Sequence, residues 1–245
     1  MTGKKYELAD ITHPDFPHLR RVRALRDIPP AGVKAGDLGG WVEGEHNLSH
    51  DGTAWVYGEA QVSERARVSD DARVSGDARV SGTAWVSDSA WVSDSAWVSG
   101  SAWVSGSAQV RDSANVYGEA QVCDDAGVYG SAIVTGIAEV YNQAVVEGHA
   151  LLRGDARVGE EGDIFHASIM ASERLPATLH RTRDEHALIV GCWRGTVPEF
   201  RAMIESDEWV EAAPAQIELR RPELLAFASM CEARIATWER REGNK

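Results

Sequence analysis

Histidines and cysteines have the most chemistry to offer in this chain, and their spacing limits what they can do. His46 and His50 are four residues apart, as two ligands of one metal ion can be, but they sit in an irregular segment with no third ligand indicated. His180 and His186 flank an expected hairpin turn, again without a third partner. Neither a metal site nor a cofactor is expected. Cys123, Cys192 and Cys231 are scattered, odd in number and without CxxC spacing, which favours a reducing interior over a disulfide framework. Cys192, in the run GCW, reads as a small buried residue rather than a nucleophile. No GxSxG and no GxxxxGK[ST] occurs. What remains is aromatic, guanidinium and carboxylate chemistry: Trp55, Trp85, Trp91, Trp97 and Trp103, then Arg67, Arg73 and Arg79, then Asp70, Asp71, Asp88, Asp94 and Asp112.

All of these lie in one stretch. From Asp51 to Val158 the chain is eighteen six-residue units without insertion or deletion, beginning DGTAWV, YGEAQV, SERARV. The fourth position is Ala in all eighteen units and the sixth is Val in seventeen, Leu152 being the exception. A fixed short period predicts a solenoid. In an extended strand Ala and Val share one face and the residue between them takes the other. The second position is always Gly, Asp, Glu or Asn, residues that turn readily. Each unit is therefore a short strand and a bend, and three units close a prism with Ala and Val inside. Six coils of eighteen residues give a rod roughly 29 Å long at about 4.8 Å per strand.

Residues eighteen apart then stack, and the outward position forms three columns. The first runs Trp55, Arg73, Trp91, Gln109; the second Gln61, Arg79, Trp97, Asn115; the third Arg67, Trp85, Trp103, Gln121. Five indoles are thus expected outward with arginines one coil away, at cation–π spacing. Exposed Trp and Arg are typical interface anchors. Because Trp85, Trp91, Trp97 and Trp103 fall on successive sides, they would girdle the prism, which suits a homo-oligomer (trimer or dimer) or a protein partner that wraps around it. The aspartates fall on corners, where Asp is simply a good turn residue. A second reading is that an ordered acidic edge imitates a phosphate backbone, making the protein an inhibitor of a nucleic-acid-binding protein.

The repeats resemble hexapeptide-repeat, left-handed β-helix proteins. More narrowly, GDLGGWVE (Gly36 to Glu43) and NLSH (Asn47 to His50), leading into xGxAxV repeats, look like the YdcK-like β-solenoid proteins of bacteria and phage genomes. The resemblance covers about two-thirds of the chain. It implies left-handed coiling and a phage- or prophage-type protein, with inhibition of a host system as one role. It also makes a hexapeptide-type acyltransferase using acetyl- or acyl-coenzyme A the enzyme to consider. His149, at a corner of the array, is the one weak catalytic candidate, and the long inserted loop of many such enzymes is missing here.

The flanks complete the organisation. Residues 1–50 read as an N-terminal β cap, since a solenoid end exposes backbone and core. Within it Leu19 to Leu25 reads as a strand, Ile28-Pro29-Pro30 as a bend, and Val42 and Leu48 fall in the spacing of the Ala column. The β-helix is assigned to residues 51–164. Residues 165–245 read as a small α+β domain, a hairpin plus two helices: strands at Ala177 to Thr182 and His186 to Val190, a capping box at Thr196–Glu199, and a last helix from about Pro222 to Arg241. An outer apolar patch at Ile133, Ile137, Val145 and Leu151 is expected to receive this segment.

The net charge of −13 is uneven: seven acids against seven bases in residues 1–50, fifteen against seven in the repeats, and sixteen against eleven beyond. Such a surface repels bare nucleic acid, so no direct nucleic-acid binding is expected. No membrane contact is expected either, and the cytoplasm, that of a bacterial host if phage-encoded, is the expected compartment. The leading expectation is a non-enzymatic β-solenoid whose function is binding.

Overall fold

A computed structural model describes residues 3–169, 175–206 and 214–242. Its centre is a three-sided parallel β-solenoid. Eighteen two-residue strands, β4 (Trp55–Val56) to β21 (Arg157–Val158), each pair with the strand one coil away. The register is eighteen throughout: Arg73 opposes Trp55 and Trp91, Arg79 opposes Trp97, and Arg67 opposes Trp85. Every repeat Ala and Val, with Leu152, is at most 1% exposed and belongs to one core. Burying methyl groups at this density is the main stabilising term.

The corners explain the second position of the repeat. In all eighteen units this residue has positive φ, from Gly52 to Gly154, with Glu64, Asp70, Asp88, Asp94, Asp112, Asp124 and Asn142 among them. Gly adopts this region freely and Asp or Asn at modest strain.

The N-terminal cap continues one face of the prism. Strands β1 (Tyr6–Thr12), β2 (Arg20–Ala24) and β3 (Leu38–Val42) form an antiparallel run whose last member pairs parallel with the repeats. Here the expected spacing fails. Val42 opposes Val62, Trp41 opposes Gln61 and Leu48 opposes Val68, so this first, incomplete coil has twenty residues rather than eighteen. Val42 and Leu48 therefore extend the Val column, not the Ala column. Leu48 to Val56 spans eight residues instead of six, so the extra length lies in the bend after Leu48.

Beyond the last coil, β22 (Ile164–Ile169), β23 (Leu175–Arg181), β24 (His186–Val190) and β25 (Trp193–Gly195) form an antiparallel sheet. Helices α1 (Val197–Glu205) and α2 (Pro214–Glu242) follow. Thr196 caps α1 by accepting from the Glu199 N–H, and Val197, Phe200 and Ile204 are buried. Helix α2 starts well before the expected Pro222, which lies inside it. Proline favours the first helical turn, which is why sequence alone points to a start there. Leu224, Ala228, Cys231 and Trp238 face a second core with Ala177, Leu179, Leu188 and Phe200.

Candidate interaction surface

Four of the five expected outward indoles are exposed. Trp85, Trp91, Trp97 and Trp103 are 43–50% accessible, on successive sides of neighbouring coils. Each indole is anchored by the same device. Its Nε1–H donates to the hydroxyl of a serine sixteen residues earlier: Trp85 to Ser69 at 3.0 Å, Trp91 to Ser75 at 2.9 Å, Trp97 to Ser81 and Trp103 to Ser87 at 3.3 Å. The serine opens the unit just past the outward position of the coil below, so every ring leans the same way. Trp85 and Trp103 stack, with centroids 5.8 Å apart and planes 14° from parallel. With the polar edge satisfied internally, each ring presents carbon and π surface to the outside.

Trp55 departs from expectation: it is 1% exposed and cannot belong to that surface. The cap covers it. Tyr6 meets its ring edge-on at 6.4 Å, and Gly39 leaves the space it fills, since a Cβ there would come within 2.9 Å of the indole. Nothing in the repeat distinguishes Trp55 from Trp91; the difference is made by chain outside the repeat.

The expected cation–π ladders are not formed. Arg73 donates to the Pro30 carbonyl at 2.8 Å, and Arg67 and Arg79 are exposed but not over an indole. With each ring held to its serine, no face is turned to the arginine below. Stacking of this kind occurs elsewhere, with Arg111 over Tyr129 at 4.0 Å and Arg157 over Tyr141 at 5.3 Å.

The acidic corners have a structural use. Asp88 accepts from the Gly106 N–H at 3.0 Å and Asp112 from the Gly130 N–H at 2.8 Å, each one coil up. Asp94 accepts from the Asp112 N–H at 3.3 Å, and Asp70 accepts more weakly from the Asp88 N–H at 3.4 Å. Asp71 holds the Thr53 hydroxyl at 2.6 Å. These carboxylates satisfy backbone donors that the left-handed corners would otherwise leave to water.

The histidines do not gather into one site among the described residues. His149 is exposed at its corner. His46 Nε2 lies 2.6 Å from the Glu64 carbonyl, whereas His50 stacks on Tyr6 at 4.3 Å. His180 is fully buried, with Nδ1 3.0 Å from the Arg181 carbonyl, and burial pulls its pKa down to about 4. Among the described residues no three His, Cys, Asp or Glu side chains gather as metal ligands. Cys192 is exposed, against expectation, because it sits in the tight turn between β24 and β25. Cys231 is buried, which pushes its thiol up to about 12. Of the apolar patch, Leu151 is partly covered and its N–H donates to Thr178 Oγ1 at 3.1 Å, whereas Ile137 stays 49% exposed. No described helix is long and apolar enough to cross a membrane.

No curated protein matches the sequence. Residues 72–88 and 120–136 match the YdcK beta solenoid repeat family. Each matched segment covers close to one coil, the first ending just past Trp85 and the second lying beyond the Trp girdle. The chain is a β-solenoid repeat protein, two segments of which are similar to the YdcK beta solenoid repeat.

Proposed function

We propose that the protein is a non-enzymatic binding scaffold that self-associates and engages a protein partner through the girdle of Trp85, Trp91, Trp97 and Trp103. The observation that carries this is the half-exposure of all four rings with their N–H groups already satisfied by serine. Each is a rigid apolar plate that loses little freedom on being covered, the kind of residue that dominates interface energy. Arg67 and Arg79 flank the plates as exposed charges and belong to the rim of this surface. Arg73, held by the cap, serves it less. A phage or prophage setting, and a host system as the target, rest on the resemblance of the repeats.

The acidic-edge reading is weakened by the corner carboxylates, which are spent on backbone N–H groups of this chain. The acyltransferase reading has only an exposed His149 to offer. Replacing Trp85, Trp91, Trp97 and Trp103 together by Ser should leave the melting profile of the solenoid in place. It should lower the sedimentation coefficient and abolish partner capture. Unchanged sedimentation together with unchanged capture would remove the girdle from the function.

A further inference from the structure

Where the last coil meets the C-terminal sheet, a cleft of about 550 Å³ opens. Four arginines line it, from three parts of the chain: Arg157 on the solenoid, Arg181 and Arg183 on and beside β23, and Arg241 at the end of α2. In a chain with a net charge of −13 this local reversal of sign needs a reason.

Arg157 and Arg183 have a single carboxylate between them. Glu139 divides its two oxygens between Arg157 at 3.3 Å and Arg183 at 3.2 Å. Glu160 meets Arg241 at 3.4 Å, and Asp163 lies 3.7 Å from Arg181. Arg157 and Arg183 thus share one carboxylate, and Asp163 already accepts from the N–H groups of Gly159 and Glu160 at 2.9 and 3.0 Å. Pairs this long and this solvated hold loosely. Arg157, Arg183 and Arg241 are 48%, 60% and 49% exposed, so their planar forks are available to a ligand. Gly159 lets the Tyr141 ring pack against the floor, since a Cβ there would come within 2.5 Å of that ring.

We infer that this cleft binds a small phosphate-bearing ligand of at least two negative charges. Guanidinium forks match phosphate oxygens in pairs, and several can share one dianion. The site is independent of the Trp girdle.

The test is calorimetric titration of the full chain with inorganic pyrophosphate at constant ionic strength. A saturable, one-site isotherm is expected, and the Arg157→Gln/Arg183→Gln double variant should bind at least about tenfold more weakly, the scale of losing a charge-assisted hydrogen bond. Arg111→Gln, over Tyr129 and outside the cleft, should bind as the parent does. Glu139→Gln frees Arg157 and Arg183 from their shared carboxylate and should bind more tightly, a result that damaged folding could not produce. No saturable binding up to about 10 mM, a scale far weaker than useful recognition, would overturn the assignment. So would binding that neither the double variant nor Glu139→Gln alters.

Discussion

The two ends of the solenoid are closed in different ways. At the N-terminal end the cap and the coils share one core: Tyr6, Val22, Ile28, Val42 and Leu48 pack with Trp55 and the repeat methyls. Two buried polar groups there, on Lys5 and Tyr6, are satisfied by the first coil. Lys5 Nζ donates to the Ala54 carbonyl at 2.8 Å, and the Tyr6 hydroxyl donates to the Leu48 carbonyl at 2.6 Å. At the C-terminal end a second, separate core abuts the last coil through hydrogen bonds and ion pairs, with Ile164 of β22 packed on the solenoid core. Leu151 donates to Thr178, Trp238 Nε1 donates to the Gly162 carbonyl, and Arg194 pairs with Asp155 at 3.3 Å. A shared core joins two segments into one cooperative unit, whereas a polar seam lets two units move and melt apart.

The sharpest way to break this contrast is to cut one large side chain from each core. Trp55→Ala and Phe200→Ala should each destabilise by about 3–5 kcal/mol. By calorimetry the first should lower the transition of cap and solenoid, and the second only that of the C-terminal unit. A common shift in both would mean that the cores are one. Trp91→Ala, in the same column as Trp55, should change stability by about 1 kcal/mol or less, because its ring is already half in water.

A smaller effect is expected from Tyr6→Phe, which removes one hydroxyl and strands the buried Leu48 carbonyl. The loss should be about 1–3 kcal/mol in the solenoid transition, measured by urea unfolding.

The subtlest effects concern pH, and they fall in different windows at the two ends. Burial lowers the Lys5 ammonium from 10.5 to about 8. Between those values the unfolded chain holds more protons than the folded one, so the solenoid should gain stability as pH rises from about 8 towards 10.5. Burial likewise lowers His180 from 6.5 to about 4, so its contribution is present at neutral pH and lost as pH falls through that interval. Melting curves of Lys5→Met and His180→Gln should each flatten only its own window relative to the parent; loss of both slopes in one variant would contradict the separation of the ends.

Much of this molecule could be read from period alone. Ala and Val inward, the eighteen-residue stacking and the left-handed corners all follow from the repeat, because each unit meets the same neighbours. What failed lies where that sameness ends. Trp55 is identical in pattern to Trp91, yet Tyr6 and Gly39, far away in sequence, bury it. The twenty-residue first coil hides in the bend after Leu48, where no repeat marks the register. The arginine ladders failed for a local reason: the serine sixteen residues back was a nearer partner for each indole than any arginine was for its face. The cleft of Arg157, Arg181, Arg183 and Arg241 had no signal at all in the repeat, since its members meet only once the last sheet docks.

The corner bonds that join Asp70, Asp88, Asp94, Asp112 and Asp124 to the amide eighteen residues later have one more implication. An insertion of six residues anywhere in the array would keep every methyl inside and every corner left-handed, so nothing in the core would resist it. Placed between Trp103 and Arg157, it would nevertheless advance everything downstream by one third of a turn, giving each Asp at the joint a different corner amide and swinging the arginine cleft to a different side from the stacked Trp85 and Trp103. Only whole multiples of eighteen lengthen the rod without turning its two ends against each other.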